Sequence, residues 1–177
     1  MLFRSLMRAA SGWSHDYFTL ESFSVNVGHR SGSGSRAWND VAVQVETEAT
    51  VKVHVGGERV VATGEGNGPV NALDSALRKA LGDRFPELER LHLTDFKVRV
   101  LEARQGTGAV TRVLIDTTNG ERTWTTIGVS ENIIEASWQA LVDSLVFGIL
   151  HTDDQRSEER RVGKEGRARR SPYHHKT

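Results

Sequence analysis

The chain repeats itself once, and that repetition narrows its possible folds more than any other feature. Leu20-Glu-Ser-Phe-Ser-Val-Asn-Val27 lies against Leu93-Thr-Asp-Phe-Lys-Val-Arg-Val100, with Leu, Phe and two Val residues in matching places. Each run alternates apolar and polar residues, the period of a half-buried strand. Ala49-Thr-Val-Lys-Val-His-Val55 is paired in the same way with Ala109-Val-Thr-Arg-Val-Leu-Ile115. Both run into turn residues, Gly56-Gly57 and Asn119-Gly120, suited to tight hairpins that need positive φ. Gly57-Glu58-Arg59 and Gly120-Glu121-Arg122 then open the return strands.

A helix closes each copy. Gly68 and Pro69 form a start signal for the first, because proline at the first helical position loses no hydrogen bond. Val70, Leu73, Ala76, Leu77, Ala80 and Leu81 follow at helical spacing, and Gly82 ends the run. The second helix is expected after Ser130 as N-cap, with Ile133, Ile134, Ser137, Trp138, Leu141, Val142 and Leu145 as its inward stripe. Asn71-Ala-Leu-Asp-Ser-Ala-Leu77 sits over Glu135-Ala-Ser-Trp-Gln-Ala-Leu141. The pattern predicts an α+β fold of two pseudo-symmetric βββα repeats. A three-stranded sheet with one apolar face is too little to stand alone, so its helix and the other copy must cover it.

Within residues 16–154, repeat one spans about 17–82 and repeat two about 91–150. Gly28 to Glu48 is expected as a long polar loop around Ser31-Gly-Ser-Gly-Ser35, whereas Leu101 to Gly108 makes the same crossing briefly. Residues 1–15, with Ser5-Leu-Met-Arg-Ala-Ala10 and Trp13, look like the end of a helix that began elsewhere. Residues 155–177 are expected to be a disordered tail resembling the translated read-through of a sequencing adapter. His174-His175 is set aside with it.

Charge separates body from tail. From Arg156 onward eight Lys or Arg stand against three Glu, which leaves 15 basic and 20 acidic residues in the body. An acidic body without an aromatic-plus-basic strand face is a poor footprint for nucleic acid, so an RNA-binding α+β module is the weaker alternative. No stretch approaches the roughly 20 apolar residues of a membrane span. The first eight residues are too short and too interrupted by arginine for a secretory signal. With no cysteine, thiolate metal sites and cysteine nucleophiles are excluded. A cytoplasmic location, with no membrane or nucleic-acid partner, is the expectation.

Gly64-Glu-Gly66-Asn-Gly68-Pro69 is the most specific local motif. Three glycines before a helix let backbone approach a ligand, with helix N–H groups aimed at a carboxylate or phosphate. The other reading is a tight strand-to-helix turn. Pro69 stands where a dinucleotide fingerprint needs its third glycine, and no Walker lysine is present. Gly106-Thr-Gly108 is a second glycine turn, more readily structural. Asp95 is a candidate acceptor for a ligand ammonium group, or a solvated strand-end aspartate. Histidines 15, 29, 54, 92 and 151 form no metal-ligand spacing. No nucleophile elbow is present, and Trp124 and Trp138 read as core residues. No catalytic constellation emerges.

Three long runs carry a family resemblance: Gly64-Glu-Gly-Asn-Gly-Pro-Val-Asn-Ala-Leu-Asp-Ser-Ala-Leu-Arg-Lys-Ala-Leu81, Leu93 to Val100, and Trp124-Thr-Thr-Ile-Gly-Val-Ser-Glu-Asn-Ile-Ile-Glu-Ala-Ser-Trp-Gln-Ala-Leu141 with Val142-Asp143-Ser144. Together they resemble the C-terminal regulatory domain of the 2-isopropylmalate/homocitrate/citramalate synthase family, the citramalate-type branch above all. The resemblance implies a doubled βββα unit that forms a homodimer and binds leucine or isoleucine as feedback inhibitor near the dimer interface. Carried over residue by residue, the glycine-rich helix entry implies effector contacts at Gly66, Asn67, Gly68, Pro69 and Asn71. Catalysis in that family belongs to a separate N-terminal barrel that uses a divalent metal, acetyl-CoA and a 2-oxo acid. No barrel motif is present, including its His-x-His metal pair. The chain alone is therefore expected to be a non-catalytic partner of such a barrel, holding no cofactor. A domain that only dimerises is the alternative, and the long Gly28–Glu48 segment departs from the family pattern.

Overall fold

The computed structural model describes residues 17–30, 44–101 and 109–168. The elements run β1 (Phe18–Arg30), β2 (Gln44–Val55), β3 (Glu58–Gly66), α1 (Pro69–Leu81), a 3-10 turn (Pro86–Arg90), β4 (His92–Val100), β5 (Thr111–Thr118), β6 (Thr123–Ser130) and α2 (Ile133–Ala168). They form two antiparallel sheets, β1-β2-β3 and β4-β5-β6. The fold is thus α+β with two βββα units, as the repeat predicts.

Alternation decides which face each sheet turns inward. In β5, Thr111, Val113, Ile115 and Thr117 are buried and the residues between them are not. In β2 the buried set is Thr47, Ala49, Val51, Val53 and Val55. α1 lies on β2 and β3, and α2 on β5 and β6. Leu73, Leu77 and Leu81 on α1 meet Leu141, Leu145 and Ile149 on α2 in a single core. Each leucine so buried contributes roughly 2 kcal/mol relative to exposure. The 3-10 turn was not legible as an element, yet it inserts Leu88, followed by Leu91, into the same core.

Small residues set how closely helix and strand approach. A Cβ on Gly64 would fall 2.6 Å from the Ala72 carbonyl oxygen and closer still to Ala76 N. Gly128 meets Ala136 and Ala140 on α2 in the same way. Gly64 and Gly128 occupy the same place in the two repeats, being opposite Ala49 and Val113 respectively.

That register corrects the internal alignment. Phe23 stands opposite Val51 and Phe96 opposite Ile115, so Ala49 corresponds to Val113 and not to Ala109. The misalignment arose because Val-x-Val alternation fits equally well when slid along a strand. The hairpins differ too. Val55 pairs with Glu58 across Gly56-Gly57, both with positive φ (58° and 88°), a two-residue turn. In repeat two Thr118 pairs with Thr123, so Gly120-Glu121-Arg122 lies in the loop and does not open the strand. Asn119 Oδ1 accepts the Glu121 and Arg122 N–H groups there, at 3.0 and 2.8 Å. This side-chain turn takes the place of the second glycine.

Three further expectations change. β1 and β2 run on to Arg30 and Gln44, which pair with each other, so both ends of the Gly28–Glu48 segment are strand. Residues 31–43, like 1–16, Gly106-Thr-Gly108 and 169–177, lie outside the described residues. Asn132, not Ser130, caps α2: its Oδ1 accepts the Ile134 N–H at 2.8 Å, while Ser130 Oγ accepts Asn132 N–H at 3.2 Å. Finally, α2 continues to Ala168 through the charged segment for which a disordered tail is expected. Its Arg, Glu, Lys and Ala residues are good helix formers. Ile133–His151 is also long and apolar enough to cross a membrane by length and composition, against the sequence reading. More than half of that stretch is buried inside the domain, as befits a core helix.

Candidate functional site

The two repeats share an irregularity at the same point. The β1–β2 register slips between Leu20 and Ser22, and the β4–β5 register between Leu93 and Asp95. Glu21 and Thr94 are therefore the extra residues of matching β-bulges, which bend an edge strand and re-aim its side chains. In repeat two the bulged stretch faces the first turn of α1. Between them lies a half-open pocket of about 320 Å³ lined by Val70, Asn71, Leu93, Thr94, Asp95 and Phe96. That volume sits at the small end of ligand pockets, roughly 300–1,000 Å³.

Of the predicted site residues, the structure brings Asn71 and Asp95 together on this pocket. The other four shape its entry and do not line it. Gly66 ends β3 opposite Thr47, and a Cβ there would meet the Asn71 side chain and fall 2.6 Å from Ala72 N. Asn67 is exposed in the turn. Gly68 is the N-cap in fully extended backbone (φ −173°), with nothing within 4 Å of where a Cβ would be. Pro69 opens the helix. Close helix packing thus accounts for Gly64 and Gly66, whereas nothing among the described residues requires glycine at 68.

Val70, Leu93, Thr94 and Phe96 were missed as lining residues. Leu93 and Phe96 were visible as a repeated apolar pair, but three residues apart, so alternation alone puts them on opposite faces of the strand. Only the bulge, which sequence does not announce, turns them toward α1.

The pocket's electrostatics come from two sides. No side chain among the described residues caps α1, and its first turn carries no acidic residue. The Val70 and Asn71 N–H groups lie within the first turn, where helix geometry supplies no acceptor, and there the helix dipole favours an anion. Across the pocket, Asp95 accepts the Phe96 N–H at 2.8 Å and is ion-paired with Lys97. The Lys97 ammonium, followed by that N–H, holds the Asp95 carboxyl below its usual range. Lys97 also lies 3.6 Å from Asp116. Val70, Leu93 and Phe96 supply apolar walls. Such a site suits a small zwitterion with a hydrophobic side chain. Among the described residues no group of three or more His, Asp or Glu could hold a metal ion.

At the matching place in repeat one, Trp138 stands over the edge strand. Phe23 corresponds to Phe96, and it is stacked on Trp138 of α2 at 4.9 Å between ring centroids and 22° between planes. The residue of α1 that corresponds to Trp138 is Asp74. It is bound to Arg78 by two 2.9 Å hydrogen bonds, and Arg78 in turn donates to the Leu88 carbonyl at 2.5 Å. Burial pushes the Asp74 carboxyl above its usual range in spite of that guanidinium.

A family model described as the LeuA allosteric (dimerisation) domain matches residues 2–147. The chain is 50% identical over 149 residues to an (R)-citramalate synthase of Streptomyces coelicolor, covering 84% of this chain and 26% of that protein. It is 45% identical over 147 residues to an (R)-citramalate synthase of Synechocystis sp., covering 83% and 26%. It is 33% identical over 113 residues to a 2-isopropylmalate synthase of Pseudoalteromonas atlantica, covering 63% and 20%. The chain therefore spans about a quarter of the length of the citramalate synthases it matches. With the doubled βββα fold and the matched helix-entry and strand runs, these similarities place the chain in the family of LeuA allosteric (dimerisation) domains.

Proposed function

We propose that this domain senses a branched-chain amino acid, isoleucine or leucine, and forms a homodimer in the service of a citramalate-synthase barrel. The pocket between the α1 start and the bulged β4 strand carries the reading. A free amino acid offers a carboxylate for the helix N–H groups, an ammonium for Asp95 and an aliphatic side chain for Val70, Leu93 and Phe96. Apolar burial supplies affinity while the two charged ends fix orientation. Because Asp95 already holds Lys97, the ligand ammonium competes with that contact. The condensation itself, with its divalent metal, acetyl-CoA and 2-oxo acid, falls to the barrel, and this domain supplies regulation only. Feedback then requires that the effector bind two states of the enzyme unequally.

Calorimetric titration of the chain with L-isoleucine and L-leucine tests the proposal. Saturable heat with either, reduced at least tenfold in affinity in Asp95→Ala, is the expected result. Flat traces from a folded protein would leave a domain that assembles and does not sense.

A further inference from the structure

Matching places on the two helices are filled by opposite chemistry. On α2, Trp138 and Val142 are buried, at 6% and 8% exposure. Their counterparts on α1 are Asp74 and Arg78, whose side chains are also largely covered, at 13% and 24% exposure. Arg78 Nε donates to both Asp74 oxygens at 2.9 Å, while its Nη1 donates to the Leu88 carbonyl at 2.5 Å. In repeat two an apolar pair fills this place, so the fold does not need charge there. An ion pair so covered is weak evidence for stability, because desolvation offsets its attraction. Burial raises the Asp74 carboxyl above its usual range even beside Arg78, which is the mark of that desolvation. The pair calls for a reason other than stability.

Its position supplies one. Asp74 stands three and four residues beyond Asn71 and Val70, so it shares the helix face that walls the pocket. The other wall, Leu93 to Phe96, belongs to β4, which is hydrogen-bonded to β5 in the second sheet. α1 itself lies on β2 and β3. The two walls thus come from different halves of the fold, and their separation depends on what joins the halves. Leu88 lies in the 3-10 turn that leads into β4, four residues before the strand begins. Through Arg78, α1 holds that turn by its backbone. Such a charge-assisted hydrogen bond is directional, whereas the apolar packing of Leu88 and Leu91 in the core is not.

We propose that Asp74 and Arg78 are positioning residues of the pocket: Asp74 orients the guanidinium, the guanidinium holds the Leu88 carbonyl, and the helix start and the bulged strand are thereby kept at the separation a ligand requires. The inference rests on the reading of this pocket as the effector site and adds which residues set its width. Groups that grip a ligand from two sides have to be held within about 0.5 Å of their working geometry. Arginine suits the task better than lysine, since its planar fork engages the carboxylate and the carbonyl together. The Leu88 carbonyl also accepts the Leu91 N–H at 3.2 Å, so it keeps a partner when Arg78 is replaced.

The test is an apolar replacement of the pair, Asp74→Leu with Arg78→Met, in the full chain. Leucine copies the shape of the carboxylate, and repeat two already holds apolar side chains at this place. The melting temperature should stay within about 3 °C of the parent, or rise. Affinity for L-isoleucine, read by calorimetric titration, should nevertheless fall about tenfold or more. In the ligand-free chain, hydrogen exchange at the Leu91 amide should quicken about threefold or more as the turn loosens. Arg78→Lys keeps the charge beside Asp74 and gives up the fork, so it should move both readouts the same way, and it decides alone if the double variant does not fold. Parent affinity or parent exchange in the folded variant overturns the inference. A loss of affinity matched by a loss of stability marks a merely structural pair and overturns it too. A parent that binds neither isoleucine nor leucine removes the effector reading instead; faster Leu91 exchange then still supports the tie, and unchanged exchange overturns it.

Discussion

Phe23 and Phe96 stand at the same point of the same bulged edge strand in the two repeats, and their surroundings diverge. The first lies beneath Trp138 and belongs to the core; the second forms a wall of the pocket. The helix starts diverge as well. α2 is capped by the Asn132 side chain, while α1 opens on an extended glycine and a proline with its first N–H groups uncapped. In both comparisons the α2 side, with Trp138 on β1 and Asn132 at the helix start, is completed within the chain. Where α1 meets β4, both the apolar surface and the helix terminus are left for something else to complete. Duplication supplies two equivalent places, and the Trp138/Asp74 difference fills one and opens the other.

The largest effect should come from removing the closure of the filled side. Trp138→Ala should lower unfolding free energy by about 3 kcal/mol or more, the usual loss for a buried tryptophan, read by denaturant titration. The counterpart Phe96→Ala should cost under about 1 kcal/mol, since much of that ring is already in water. Equal losses would erase the comparison.

Next come the paired glycines, which the account treats as equivalent. Gly64→Ala and Gly128→Ala each drive a methyl into helix backbone that cannot retreat as a side chain would. Each should cost about 1–3 kcal/mol, and a large inequality between them would show that the helices do not approach their sheets alike. Asn132→Ala should cost about 1 kcal/mol by loss of the cap. Gly68→Ala should be nearly silent in thermal melts, because its extended backbone suits any residue and its Cβ site is open. A melt showing the reverse order would contradict the description of the two helix starts.

The smallest effect is electrostatic. On the exposed face of sheet one, Glu21 accepts Arg59 Nε and Nη2 at 2.6 and 2.9 Å and lies 3.3 Å from His54. The Arg59 hydrogen bonds, opposed by desolvation, hold the Glu21 carboxyl below its usual range. A carboxyl whose pKa is lowered on folding contributes stability above its unfolded pKa and loses it as pH falls through the folded value. The parent should therefore lose its small advantage over Glu21→Gln as melts are taken down through the acid range. Thr94, at the matching bulge, makes no such ion pair, so Thr94→Ala should show no comparable pH dependence.

Repeat, strand-and-helix order and helix stripes were legible because each rests on periodicity, which survives in sequence. Leu73, Ala76, Leu77, Ala80 and Leu81 are buried where helical spacing puts them. What failed depends on one-residue events. The Val-x-Val runs slid along their strands because alternation carries no absolute register. Thr94 bulges because of how β4 meets β5, and no residue type announces it. The site was half legible for the same reason. Asn71 and Asp95 stood out by chemistry, whereas Val70 looked like part of a helix stripe and Leu93 and Phe96, three apart, share a face only because of the bulge. Gly66, read either as a ligand approach or as part of a tight strand-to-helix turn, is also where β3 backbone packs closely on Asn71 and Ala72.

The most direct test of this asymmetry is a methyl-resolved NMR titration of the chain with L-isoleucine. The account predicts that the methyl resonances of Val70 and Leu93 shift and saturate together, while those of their counterparts Ile134 and Leu20 stay in place. Saturating shifts at Ile134 and Leu20, or saturation with Val70 and Leu93 unmoved, would contradict it.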